Sequence, residues 1–187
     1  MTALIGPNAI LQAVAVLDRV AGQGTRARVM ARAGVPMPTG AEMIPETQAT
    51  AMHCALRAEL PAQADDLLGQ AGQATGAYIL RHRIPPLAQR VIRLLPAPLA
   101  ARVLAAAIAK HAWTFAGSGS FAVQFGKPLV FLIRDNPLRD PDGHPCLWHA
   151  AVFQCLFRAL VWPEATVRET DCQAQGAEVC RFEIRPQ

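Results

Sequence analysis

The stretch CLWHAAVFQCLFRALVWPEATVRETDCQAQGAEVCRFEI, Cys146 to Ile184, decides how this 187-residue chain is read. It holds four of the five cysteines. Three of them fall in fixed order with one glutamate, Cys146, Glu169, Cys172 and Cys180, spaced C-x22-E-x2-C-x7-C. Three sulfurs and one carboxylate oxygen fill the tetrahedron of a structural zinc and leave no position for a catalytic water. Spacing alone leaves a second reading open, in which Cys172 and Cys180 form a cross-strand disulfide or are plain buried thiols, with Glu169 solvated.

Thr166 to Cys172 and Val179 to Ile184 read as short strands around the turn Gln173 to Glu178, which contains Gly176, so a hairpin brings Cys172 and Cys180 together. Glu169 lies an odd number of residues before Cys172, and strict alternation sets the two on opposite faces. A bulge or a strand end must therefore intervene. Three thiolates, a carboxylate and a dication sum to a local charge of about minus two, which Arg168 or Arg181 can offset if they turn inward. Upstream, the helix Cys146 to Trp162 is apolar all round apart from His149, Gln154 and Arg158, as expected of a helix buried on both sides. Gln154 and Arg158 stand i, i+4 and can support one another.

The rest of the chain supplies what this helix and hairpin pack against. SFAVQF and LVFLIRD read as two more strands around Gly126 to Pro128. NPLRDPDGHP is a polar, proline-rich loop in which His144 is a substitute zinc ligand of lower standing. Before residue 113 the pattern is helical: a first helix from Pro7 closed by Gly22 and Gly24, then Thr25 to Ala33, a helix opened by Pro45 and Glu46, Ala62 to Arg81, Ile84 to Leu94 and Leu99 to His111. Gly69, Gly72 and Gly76 form a small-residue stripe that lets a second backbone or a flat ligand approach closely, helix packing being the simpler use. His53 and Cys54 are expected to be packing residues. One α+β domain over 1–187 results, with a helical part (1–112) packed on a four-stranded antiparallel sheet (113–187) whose two hairpins are separated by a buried helix.

Composition sets further bounds. Hydrophobic residues make up 52% and charged residues 17%, which suits an internal ligand cavity or a homodimer interface. The net charge is +4, but the basic residues are scattered rather than blocked with aromatics, so no nucleic-acid partner is expected. The start, MTALIGPNAILQ, lacks a basic residue before Arg19, and no apolar run reaches the roughly 18 residues of a membrane-spanning helix. The odd cysteine number and thiolate spacing favour a reducing cytoplasm.

The segment ETDCQAQGAEVCRF (169–182) resembles the E-x2-C-x-A-x-G-x3-C signature of the 4-vinyl reductase domain, and the IGPNAILQ start resembles the bacteriochlorophyll 4-vinyl reductase family, that of the bacteriochlorophyll-biosynthesis J proteins. The resemblance thus reaches both ends of the chain. It implies a fold shared with vesicle-tethering subunits and related to haem-based gas sensors. It also implies a structural zinc on Cys146, Glu169, Cys172 and Cys180, as in the aromatic-compound sensors that carry this domain.

What the family implies for function is a tetrapyrrole-binding accessory protein that holds a magnesium porphyrin or chlorophyllide intermediate. Its expected partners are the porphyrin-binding subunit of magnesium chelatase and the magnesium protoporphyrin methyltransferase that follows, and its expected location is the cytoplasm, at most peripheral to the photosynthetic membrane. His111 and His149 are candidate axial ligands of the magnesium. Trp113, Trp148 and Phe153 are candidate pocket walls, and Arg81, Arg83 and Lys110 candidate partners of pigment carboxylates. The older family name implies instead an 8-vinyl reductase or its substrate-presenting subunit. Hydride delivery needs a cofactor, and neither a G-x-G-x-x-G after a strand nor an iron–sulfur cysteine spacing is found. A zinc-containing small-ligand sensing domain is the third reading, and it would signal through a partner.

Overall fold

The computed structural model describes residues 3–186. The strand β1 (Leu4–Ile5) leads into the helices α1 (Asn8–Val20) and α2 (Gly22–Ala33), and β2 (Ile44–Pro45) pairs antiparallel with β1. The helices α3 (Glu46–Glu59), α4 (Ala64–His82), α5 (Pro86–Leu94) and α6 (Ala97–Lys110) follow, and then the single turn α7 (Trp113–Ala116). The sheet part runs β3 (Ser120–Gln124), β4 (Leu129–Arg134), α8 (Leu147–Leu160), β5 (Thr166–Asp171) and β6 (Cys180–Arg185).

The expected α+β architecture is present: a four-stranded antiparallel sheet, order β3-β4-β6-β5, with α8 in the chain between its two hairpins. Alternation along β4 and β6 sends Phe131, Ile133, Cys180, Phe182 and Ile184 into the interior. There they meet α8, whose Phe153 packs edge-on against Phe131 at 5.0 Å and against Phe182 at 5.5 Å between ring centroids. The helix is buried on its other side by α4, and the reason lies in two of the glycines. A Cβ at Gly72 would collide with the carbonyl oxygen of Trp148, and one at Gly76 would stand 2.6 Å from Cβ of Cys155. Gly69 has nothing within 4 Å, so the close approach uses only two members of the stripe.

Three local expectations change. Gly22 and Gly24 do not end a helix and leave a gap, because the chain turns at Ala21 and α2 starts at Gly22, whose φ of 82° makes the corner. The β1–β2 pair had no sequence signal, being two residues long on each side. Gln154 and Arg158 do not support one another: Gln154 accepts from the Val167 N–H at 3.1 Å and Arg158 donates to the Ala165 carbonyl at 2.8 Å. Both tie α8 to the start of β5.

The loop between β4 and α8 is an anchored element rather than a free polar connection. Asn136, Leu138 and Asp140 are buried in it, and Thr50 of α3 donates to the Pro137 carbonyl at 2.6 Å. Arg57 of α3, itself buried, pairs with Asp140 at 3.2 Å, pairs with Asp65 of α4 and donates to the Pro145 carbonyl at 3.1 Å. One guanidinium thus joins α3, α4 and the loop that delivers Cys146.

Candidate metal centre and the buried cleft beside it

Cys146 occupies the N-cap position of α8, Glu169 lies in β5, Cys172 follows β5 and Cys180 opens β6. The β5–β6 register steps from Glu169↔Phe182 to Asp171↔Arg181, so Thr170 is an extra, bulged residue. The bulge accommodates the odd interval between Glu169 and Cys172. Glu169 shares the inward face with Phe182, and after the extra residue Cys172 turns inward as well. One ligand atom from each of the four residues lies within 4.8 Å of the others.

The geometry can be tested against a metal. The Cys146 sulfur is 3.8 Å from that of Cys172 and 3.7 Å from that of Cys180, and all five cysteines are free thiols. A tetrahedral zinc with Zn–S of about 2.3 Å needs sulfurs about 3.8 Å apart, whereas a disulfide needs about 2.05 Å. Glu169 Oε2 accepts the Cys146 backbone N–H at 2.6 Å, while Oε1 is buried with no hydrogen-bond partner. An orphaned carboxylate oxygen beside three converging sulfurs is the donor set a dication fits.

The surrounding electrostatics point the same way. The Asn136 side-chain amide donates to the sulfurs of Cys146 (3.3 Å) and Cys180 (3.6 Å), and the Gln173 N–H donates to Cys180 (3.5 Å). Such N–H groups, with the positive end of α8, stabilise thiolates. Arg181 and Arg168 do not turn inward to offset the charge, since Arg181 is taken up by Glu183 and Thr170 on the outer face and Arg168 is exposed. Without a metal the cluster must keep protons. Hydrogen bonds from Cys172 and Cys180, then burial, hold the Cys146 thiol far above its ordinary range, while the bond to Cys146 draws Cys172 and Cys180 down to about 7. Burial pushes Glu169 up to about 7. His144 is exposed, and Cys54 and Cys155 lie outside the cluster.

One turn along α8 the situation differs. Trp148 and His149 are buried, yet the indole Nε1 and both imidazole nitrogens lack hydrogen-bond partners. Burial, then the nearby His53, lowers the His149 pKa to about 3, and the Phe115 backbone raises it somewhat without completing a hydrogen bond. His53 is lowered to about 4, chiefly by burial, and its Nε2 lies 3.1 Å from the Ala9 carbonyl oxygen. Trp148 and His149 line a cleft between α3, the β4–α8 loop and α8, whose enclosed volume is about 10 Å³, room for about one water.

The other expected ligand residues are not brought to this cleft. Phe153 is in the core beside His149, but Arg81, Arg83, Lys110, His111 and Trp113 are all exposed at helix ends. His111 Nδ1 is 2.9 Å from the Ala107 carbonyl of its own helix, and Arg83 lies over the Tyr78 ring. Their positions suit the helix dipole. Sequence reasoning missed Asn136 and Arg57, for which spacing carried no signal.

Comparison with known proteins agrees with this architecture. Residues 136–186 match the 4-vinyl reductase domain. The H-NOX protein from S. oneidensis, solved in its Fe(II)NO ligation state, superposes with a TM-score of 0.67 at 11% identity, covering 98% of this chain and 99% of that one. The phenol-responsive sensory domain of the transcription activator PoxR, solved with phenol, gives a TM-score of 0.53 at 14% identity over 88% of this chain and 90% of its own. At these identities the likeness concerns the fold alone. The bacteriochlorophyll synthase 23 kDa chain of Cereibacter sphaeroides is 58% identical, over 97% of this chain and 90% of that protein. That of Rhodobacter capsulatus is 54% identical, over 97% and 87%. With a 4-vinyl reductase domain in its last quarter and such identity along nearly its whole length, the chain belongs to the bacteriochlorophyll synthase 23 kDa chain family, the bacteriochlorophyll-biosynthesis accessory proteins anticipated from ETDCQAQGAEVCRF.

Proposed function

We propose that this accessory protein binds a magnesium tetrapyrrole intermediate at His149 and carries it between enzymes, on a scaffold closed by a structural zinc. The observation that carries the reading is His149: fully buried, held neutral, with neither ring nitrogen hydrogen-bonded. A buried polar group without a partner costs about 1–3 kcal/mol, so a fold that keeps one has a use for it. A neutral imidazole offers the lone pair that an axial position on magnesium accepts. Trp148 beside it contributes an indole face and an unsatisfied N–H.

The pigment is larger than the 10 Å³ cleft, so loading requires α3 and the β4–α8 loop to part from α8. Arg57 and Asp140, which join those two elements, are then the latch. Cys146, Glu169, Cys172 and Cys180 would hold the zinc, which supplies a fixed cross-link between α8 and the β5–β6 hairpin, so that α8 stays in register with the sheet when its other side opens. Magnesium chelatase and the following methyltransferase are the donor and acceptor this role calls for. Arg81, Arg83, Lys110 and His111 lie outside the cleft and take no part.

The test is an absorption spectrum of the purified protein with one equivalent of a divinyl magnesium porphyrin, before and after NADPH. A shifted Soret band that His149→Ala abolishes, with no conversion to the ethyl product, is expected. No shift overturns the carrier reading, and repeated turnover with NADPH replaces it with the reductase.

A further inference from the structure

From Leu67 to Arg134 the chain contains no aspartate or glutamate, yet it carries eight of the 18 lysines and arginines. The remainder, with all 14 acidic residues, is net negative. The eight cations are exposed, and none makes an ion pair among the described residues. The same segment holds seven of the ten exposed large hydrophobic side chains among the described residues. An acid-free, cation-bearing surface and most of the exposed apolar area therefore coincide.

The coincidence is sharpest on α5. Leu87, Val91 and Leu94 repeat at i, i+4 and i+7 and are 71%, 51% and 85% exposed, while Ile92 on the opposite side is buried. The apolar stripe of this amphipathic helix thus faces away from the core, with Arg90 beside it. The surface continues over α6, which packs on α5 and β3 and exposes Leu99, Arg102 and Val103. The Arg102 guanidinium lies 5.8 Å from the centre of the exposed Phe125 ring just beyond β3.

We infer that the α5–α6 face docks on an anionic phospholipid bilayer. A short helix with a leucine stripe flanked by arginines lies in the headgroup plane, apolar face down, and each arginine near a negatively charged surface adds attraction. No helix of the described residues is long and apolar enough to cross a membrane, so the contact is peripheral. A second copy docking through the same face would oppose cation to cation in a self-complementary contact. Nucleic acid would meet leucines at the centre of the patch where phosphates need donors. The inference is independent of the tetrapyrrole reading.

The experiment is vesicle flotation of the full chain, without pigment, with phosphatidylcholine alone and with about 30% phosphatidylglycerol added. Binding is expected to the anionic vesicles, at least about tenfold stronger than to neutral ones, and to weaken with salt. Arg90→Gln and Arg102→Gln should each weaken it about fivefold. The Leu87→Ser/Leu94→Ser variant should lose it with Tm unchanged, since neither side chain packs in the core. No binding, equal binding to both vesicle types, or full binding by the leucine variant overturns the inference. So does a dimer in sedimentation that Leu94→Ser dissociates, which would give the face to a second copy.

Discussion

Two buried polar clusters share the first turn of α8, and they are finished differently. At Cys146 the sulfurs are met by the Asn136 amide and the Gln173 N–H, and one Glu169 oxygen by the Cys146 N–H, leaving Glu169 Oε1 alone without a partner. At Trp148 and His149 three nitrogens have no partner at all. The first cluster is complete but for one cation. The second is shaped by aromatic and aliphatic neighbours, which pack but cannot hydrogen-bond. Buried polarity in one helix turn therefore serves two ends: a cross-link that fixes the sheet, and a set of groups kept in reserve.

The comparison breaks most severely at the cysteines. Structural zinc contributes apparent binding energies of about 10–16 kcal/mol in small zinc domains. Cys172→Ala and Cys180→Ala are expected to abolish stoichiometric zinc by elemental analysis and to lower Tm by about 10 °C or more. Metal content and Tm both unchanged would dismiss the metal. Arg57→Ala comes next: stranding Asp140 in the interior should cost about 3–5 kcal/mol in urea unfolding, and a paired Arg57→Leu/Asp140→Leu change should recover most of it. Failure of the pair to recover would mean that Arg57 acts mainly through Asp65 and the Pro145 carbonyl.

The second cluster is sharpened by pH. His53 and His149 have folded pKa values lowered to about 4 and about 3, against an unfolded value near 6.5, so the unfolded chain takes up protons first. Their contribution is fully present above about pH 6.5 and is lost as pH falls toward 4, by about 2 kcal/mol per histidine at pH 5. His149→Phe should flatten this slope and be neutral or stabilising at pH 7, because it removes two unpartnered nitrogens. A loss at pH 7 would show that those nitrogens are satisfied after all. The smallest effects separate two glycines of α4: Gly72→Ala meets the Trp148 backbone and should cost about 1 kcal/mol or more, whereas Gly69→Ala should gain up to about 1 kcal/mol in thermal unfolding.

The metal cluster was legible in the sequence because its ligands sit on one hairpin and one helix start, where spacing converts directly into position. Even the bulge could be anticipated, from the odd interval between Glu169 and Cys172. Asn136 and Arg57 were not legible, since their roles depend on partners brought near only by the packing of α3, α4 and the β4–α8 loop. The basic residues were read as scattered, which is true along the chain. The informative property was the absence of acids between Leu67 and Arg134, together with leucines that α5 turns outward. His149 reads as core from its position on a buried helix, and only the structure shows that its nitrogens go unmatched.

The bulge at Thr170 also bears on how the hairpin forms. A one-residue slip of β5 along β6 would turn Glu169 and Cys172 away from Cys180 together, since side chains alternate with every step. An ion that needs all four donors binds a slipped hairpin poorly and the native one tightly, and by mass action draws the population toward the native alignment. The cluster would then proofread strand register, rejecting misaligned hairpins before the sheet closes over α8.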